Sequence, residues 1–223
     1  MALQLDALRS AGYFRGLGVP EIDSLAKLVF EKSCQRGEVI QLDGEPAEAL
    51  YMVVSGFVKV AHTSREGKEQ ILEIVRPGDT FNDVPALDGK PSLATAQAMG
   101  LVQLYGIRRR DLTAFLLAHP VVAGNAIGVL AVKLRRLAAL VADLSFRHVI
   151  GRVANVLLGH AGNGANPGPP LTQQEMAAMV GTAREVVGRS LKTLEEEGTI
   201  RLDRHRIVIT NQAALAARAE SPG

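Results

Sequence analysis

The chain has a single cysteine, Cys34, so it can form no internal disulfide and offers no thiolate cluster for an iron–sulfur centre or a structural zinc. A reducing cytoplasm suits such a chain. Charge of one sign is scarce as well: 25 Lys and Arg stand against 23 Asp and Glu, a formal net charge of +2. A protein that held nucleic acid over its whole surface would carry a larger excess, so any such contact has to come from a local patch. Long hydrophobic runs are missing, because Gly, Pro or the cations Lys133, Arg135 and Arg136 break the longest apolar stretches, and no membrane span is expected. The first residues lack the charged-apolar-small order of a secretory signal. There is no phosphate-cradling glycine motif, no metal-ligand cluster and no serine or cysteine in a nucleophile signature, so the chain is not expected to be an enzyme.

What is present is a folded profile. Of 223 residues 47% are apolar and 22% charged, the 10 prolines are scattered, and the length suits two domains. From Val39 to Ile107 glycines recur at positions 44, 56, 67, 78 and 89, separating runs such as Ala49 to Val54 and Phe57 to Ala61. Val58 and Val60 alternate with Lys59, Ile71 and Val75 sit beside charged neighbours, and Arg65 to Lys68 reads as a hairpin turn. These features predict an antiparallel β-roll, jelly-roll-like, over residues 1–120 together with N-terminal helices.

After His119-Pro120 the pattern becomes helical. Ile127, Leu130, Leu134, Leu137, Val141 and Leu144 recur at alternating spacings of three and four, an a/d seam that predicts a dimerisation helix over residues 121–146. Pro120 sits where a proline opens a helix. About 26 residues at roughly 1.5 Å each span close to 40 Å, longer than a small roll needs to cap itself. The alternative is a core helix packed on its own domain, and both hold if one edge faces the roll and another a partner. Val149, Val153, Val156 and Leu157 carry a further helical period up to the loop from Gly159 to Pro170, and the hinge between domains is placed at Asp143 to Arg147.

Residues 147–223 read as a winged helix-turn-helix. Thr172 with Glu175 three residues on is a capping-box pattern, Gly181 supplies a turn, and Thr182 is expected to cap a second helix running to Glu197, with Gly198 ending it. Val186, Val187, Leu191 and Leu194 are its expected inward positions, while Arg184, Glu185, Arg189 and Lys192 carry its charge. Arginine can donate two parallel bonds to a guanine edge and glutamate can accept from a cytosine amino group, so these residues have what base readout needs. A solvated charged helix has the same composition; the glycine turn, the cap and the second helix arriving together favour readout. Arg201, Arg204, His205 and Arg206 bracket a turn between Thr199-Ile200 and Ile207 to Ile209, a hairpin wing placed for phosphate contact. Residues 151–223 hold eight Lys and Arg against seven Asp and Glu, so clustering rather than total charge carries this reading.

Leu171-Thr-Gln-Gln-Glu-Met-Ala177, Val180 to Arg189 and Leu194-Glu-Glu-Glu-Gly198 together resemble the helix-turn-helix of the Crp/Fnr family. Gly37 to Ile40, Tyr51 to Val60 and Pro77-Gly-Asp79 resemble that family's cyclic-nucleotide-binding-type roll, and Phe146 to Ala154 its passage into the DNA-binding domain. The resemblance covers essentially the whole chain. It implies an α+β fold and a cytoplasmic homodimer that regulates transcription, contacting RNA polymerase as an activator does. It also implies base reading by Arg184, Glu185 and Arg189 in palindromic double-stranded DNA with TGTGA-like half-sites, with Thr172, Gln174, Thr182 and Lys192 among the DNA contacts. Ala183 and Val186 depart from it, standing where family members often have hydroxyls. The rival classes are a cyclic-nucleotide-like regulatory subunit of an enzyme and a nonspecific DNA-binding protein without transcriptional switching.

The resemblance places an effector pocket at Gly78, Phe81, Asn82, Asp83, Ser92, Leu93 and Leu137. Cyclic-AMP-binding relatives have Phe-Gly-Glu and a downstream Arg-Ser there, because an anion buried in a roll needs a cation and backbone amides. This chain has Phe81-Asn-Asp83 and Ser92-Leu93, and Leu137 and Ala138 where relatives place hydroxyls, so tight cyclic-AMP binding is not expected. Leu93 to Ala98 resembles the roll of the haem-associated, nitric-oxide-responsive branch, which makes haem one option, with His62 as ligand candidate and Cys34, Met52, Met99 and His119 as other conceivable ligands. A neutral metabolite, or no ligand, are the others.

Overall fold

A computed structural model describes residues 5–161, 169–203 and 206–220. Contacts divide the chain into two compact units, residues 1–63 with 72–136 and residues 137–223 with 64–71.

The first unit opens with α1 (Leu5–Ser10), a 3-10 turn (Gly12–Phe14) and α2 (Val19–Ala26). Eight strands follow: β1 (Val29–Cys34), β2 (Val39–Gln41), β3 (Ala49–Ser55), β4 (Val58–Thr63), β5 (Glu69–Val75), β6 (Thr80–Phe81), β7 (Thr95–Ala98) and β8 (Val102–Arg108), with a short α3 (Asp83–Asp88) between β6 and β7. They form two four-stranded sheets, ordered β1-β8-β3-β6 and β2-β7-β4-β5, which is the expected roll. All five glycines read as turn markers have positive φ, a conformation that costs glycine little.

Strand β3 shows why alternation fails in its sequence. Ala49, Tyr51 and Val53 pack with Val58, Phe81 and Leu104 between the sheets, while Leu50 and Met52 pack with Tyr13, Phe14, Leu112 and Phe115 under the helices. Covered on both faces, the strand is apolar from Ala49 to Val54. Its neighbour β8 lets a ring cross: a Cβ at Gly106 would run into the Phe30 ring.

Helix α4 (Arg109–Ala118) meets α5 (Pro120–Phe146) at a 117° bend, with Pro120 as the first residue of the new helix. Two stripes run along α5. Val122 and Ala126 are buried against the roll and Val129 packs on the same cluster, whereas Ile127, Leu134, Leu137, Val141 and Leu144 are exposed. The stripes are one residue apart, roughly 100° around the axis, so one helix serves its own domain and offers a second apolar face. Leu130, also in the expected seam, is half-buried.

The second unit holds α6 (Val149–Ala161), α7 (Gln173–Val180), α8 (Arg184–Glu196), the antiparallel pair β9 (Ile200–Asp203) and β10 (Arg206–Ile209), and α9 (Gln212–Glu220). Val153, Leu157, Met176, Val180, Val187, Leu191, Leu194 and Leu215 form its core. At the expected hinge the Arg147 guanidinium pairs with Asp143 at 3.1 Å, and Asn155 donates to the same carboxylate at 2.9 Å. Among the described residues no single helix is long and apolar enough to cross a membrane.

Candidate nucleic-acid interface and effector cradle

The start of α7 is fixed by side chains. The Thr172 hydroxyl accepts from the Glu175 backbone N–H at 3.1 Å, and the Thr172 N–H donates to the Glu175 carboxylate at 2.7 Å. Such a reciprocal cap is worth about 1 kcal/mol on the threonine alone. Gly181 ends the helix in the left-handed region at φ 67°, where a Cβ is disfavoured. The next helix begins one residue later than the sequence suggests. Ala183, not Thr182, is the N-cap of α8, extended and without a side-chain bond, because the turn set by Gly181 spends Thr182 on an N–H bond back to the Ala177 carbonyl.

On α8 the buried residues are Val187, Ser190, Leu191 and Leu194. Val186, an expected inward position, is half-buried. At roughly 100° per residue the opposite side carries Glu185, Arg189, Lys192 and Glu196, with Arg184 on its flank at the first turn. All five are exposed. Lys192 and Glu196 form a loose solvated pair at 3.8 Å. Thr172 and Gln174 are exposed at the α7 start and Thr182 is half-buried. Arg201 and Arg206 lie exposed on the two strands of the wing, whereas Arg204 and His205 fall outside the described residues, as does 162–168 of the expected loop.

In the roll, Phe81, Asn82, Asp83 and Ser92 are tied into the fold, and the Ser92 hydroxyl reaches the Asn82 side-chain carbonyl oxygen at 3.4 Å. Phe81 is buried and stacked on Tyr51 with ring centroids 5.2 Å apart. Asn82 has φ 65° and donates to the Ala49 carbonyl at 2.8 Å, while the Ser92 hydroxyl donates to the Ala94 carbonyl at 3.0 Å. The buried Asp83 carboxylate accepts from the Thr80 hydroxyl at 2.6 Å and from the Lys133 ammonium at 2.5 Å. Lys133 also reaches the Thr80 carbonyl at 2.6 Å and Glu73 at 3.4 Å, and Glu73 takes a second cation, Arg136, at 2.9 Å. A buried phosphate would need a cation in this cradle; Ser92 provides none, and Lys133 is held by two carboxylates. The cradle does not fit a cyclic nucleotide. Gly78 sits in the turn before β6 with its N–H bonded to the Val53 carbonyl, Leu93 is 64% exposed, and Leu137 belongs to the other unit.

Lys133 was not foreseen as a site residue. It lies on the Val122, Ala126, Val129 stripe, which the sequence does not separate from the seam; once the structure shows that stripe facing the roll, a charge on it demands a buried partner.

The conceivable haem ligands lie apart. The exposed His62 turns Nδ1 to Asp43 at 2.8 Å. Cys34 is in the core between the sheets, Met52 on the helix side of β3, Met99 just beyond β7, and His119 stacks on Phe115. Burial first, then Glu38, pushes the Cys34 thiol up from its ordinary pKa. Among the described residues no three His, Cys, Asp or Glu side chains gather to hold a metal ion.

A two-sheet roll, a long helix and a winged helix-turn-helix, in that order, define the class of transcription regulators that join a cyclic-nucleotide-binding-type domain to a DNA-binding head. Residues 31–119 match the cyclic nucleotide-binding domain and residues 151–218 the Crp-like helix-turn-helix domain. The chain is 33% identical over 221 residues to the CRP-like cAMP-activated global transcriptional regulator of Mycobacterium tuberculosis, covering 96% of this chain and 99% of that one. It is 32% identical over 208 residues to the cyclic AMP receptor protein of Thermus thermophilus, covering 93% and 96%. Among solved structures it is similar to FixK2 from Bradyrhizobium japonicum, with TM-score 0.78, 25% identity, and 86% and 98% of the two chains covered. A CRP-family regulator from Thermus thermophilus gives TM-score 0.73 at 30% identity, with 85% and 97% covered. The chain belongs to the Crp/Fnr family of transcription regulators.

Proposed function

We propose that this regulator works in the cytoplasm as a homodimer that binds inverted-repeat double-stranded DNA in a sequence-specific way and contacts RNA polymerase there. The observation that carries the reading is the outer face of α8, where Glu185, Arg189 and Lys192 stand exposed and opposite the buried stripe, with Arg184 beside them. A helix of this kind enters the major groove with its first turns against the base edges. Arg184 and Arg189 donate to guanine, Glu185 accepts from a cytosine amino group, and Lys192 meets a phosphate. Because the Thr172 hydroxyl is committed to Glu175, the Gln174 side chain is the freer phosphate donor at the α7 start.

The seam on α5 supplies the second copy. Ile127, Leu134 and Val141 are 70%, 69% and 64% exposed in the single chain. Burying each large apolar side chain is worth about 1.5–3 kcal/mol, and two parallel copies of the seam bury them together. Two heads then face half-sites about one helical turn apart, roughly 34 Å. The TGTGA-like half-site is part of the proposal.

Control by a small effector acts where the roll meets the first half of α5, by shifting the population of arrangements of the seam. The Mycobacterium tuberculosis relative is named as cAMP-activated and one Thermus thermophilus relative as a cyclic AMP receptor, but cyclic AMP is not the effector here, since Asp83 and Lys133 satisfy each other in the cradle.

Selection from a randomised duplex pool, with excess competitor DNA, tests the function. An inverted repeat is expected, and Arg184→Ala or Arg189→Ala should lose about 1–3 kcal/mol of discrimination at its own position. Recovery of no palindromic motif, or unchanged preference in both variants, points to nonspecific binding and overturns the proposal.

A further inference from the structure

We propose that a cavity of about 570 Å³ in the first unit, which shares Glu73, Gly78, Thr80, Lys133 and Arg136 with the cradle just described but is not lined by Phe81, Asn82, Asp83 or Ser92, is a binding site for a small hydroxyl-bearing anion, a metabolite with a carboxylate or phosphate group. It lies between the Ser10–Arg15 segment, the Pro77–Thr80 turn and the Gly124–Arg136 stretch of α5. Its size is within the range of roughly 300–1,000 Å³ typical of ligand pockets. Of the residues that the family resemblance assigns to an effector pocket, only Gly78 lines it.

Its walls carry the chemistry. Arg15 lines the cavity, and its guanidinium has no ion pair among the described residues. The Asn125 amide donates to the Tyr13 and Arg15 carbonyls at 3.0 and 2.8 Å, which pins that segment, and with it the exposed Arg15, to α5. Arg136, on the same side of α5 as Lys133, is tied to the roll through Glu73 among the described residues. An anion thus meets one uncommitted guanidinium and one shared one, a bidentate partner for either carboxylate or phosphate. With both Asn125 N–H groups used, its Oδ1 together with the Asp79 carboxylate remains to accept hydroxyls.

The floor is kept open. Gly124 and Gly128, one turn apart on α5, both line the cavity, and a Cβ at either meets nothing within 4 Å. Each glycine inside a helix costs about 1 kcal/mol relative to alanine, so the packing gives no reason for two. Space for a ligand does. An anion held by Arg136 competes with Glu73 for it and so loosens one tie between β5 and the helix that carries the seam. Only this last step rests on the reading as an effector-controlled regulator.

Titration calorimetry of the full chain with two probes, inorganic phosphate and citrate, tests the site without DNA. Expected is saturable one-site binding of at least one probe, with phosphate against citrate reporting which anionic group is preferred. Binding should weaken at least tenfold in Arg15→Gln and vanish in Gly128→Leu, which fills the floor, but persist in Arg110→Gln, an exposed cation on α4 away from the cavity. No saturable binding of either probe overturns the proposal, as does equal affinity in Arg15→Gln or loss in all three variants. Circular dichroism of each variant separates loss of the site from loss of fold. Because no DNA is present, failure here leaves the DNA-binding reading standing, and failure of operator selection leaves this result standing.

Discussion

Lys133 of α5 sets its ammonium 2.5 Å from the Asp83 carboxylate at the start of α3, where the Asp83 side chain is only 3% exposed. The pair joins the long helix to the roll through the protein's own charges. Its net worth is modest, because both ions were taken from water, but leaving one of them alone is expensive.

Lys133→Met is therefore expected to cost about 3–5 kcal/mol, by stranding the Asp83 charge. Adding Asp83→Asn should recover a large part of that loss in urea unfolding, since the neutral amide needs no counterion. A double variant no more stable than Lys133→Met would show that the pair is not coupled.

The seam makes the opposite kind of prediction. Leu134 and Val141 are exposed in the chain by itself, so Leu134→Glu with Val141→Glu should leave the unfolding of the monomer within about 0.5 kcal/mol. Sedimentation at micromolar concentration should show a dimer for the parent chain and a monomer for the variant. A variant that stays dimeric places the interface elsewhere.

An alkaline limb of the stability curve is expected from Tyr13. Its hydroxyl is buried and makes no hydrogen bond of ordinary geometry among the described residues, and burial first, then the nearby Asp83 charge, holds its pKa well above the usual 10.0. The folded chain keeps this proton while the unfolded chain releases it near pH 10. The contribution is complete below pH 10, and above it stability falls by about 1.4 kcal/mol per pH unit. Tyr13→Phe should flatten that fall with little change at pH 7. An unaltered alkaline limb in the variant would contradict the assignment.

Legibility in the sequence followed physical simplicity. The seam from Ile127 to Leu144 was readable because one spacing repeats over six positions. The roll was readable because its turns need positive φ and use glycine. The second stripe of α5, from Val122 to Lys133, overlaps the first, and composition alone does not separate two faces one residue apart. Thr182 misled because intrinsic N-cap preference favours threonine, while the left-handed Gly181 sets the helix start at Ala183. The cradle around Asp83 was located by resemblance, yet its closure by Lys133 depends on two segments 50 residues apart, which no local pattern reports. The cavity beside Arg15 depends on three.

The central claim is that two α8 helices are held about one DNA turn apart, and the most direct measurement is affinity as a function of half-site spacing. Fluorescence anisotropy would compare the selected inverted repeat with the same repeat carrying five inserted base pairs, which turns one half-site to the opposite face of the duplex. The account predicts at least a hundredfold weaker binding to the expanded site, falling to the level of unrelated DNA. Equal affinity for the two duplexes would contradict it.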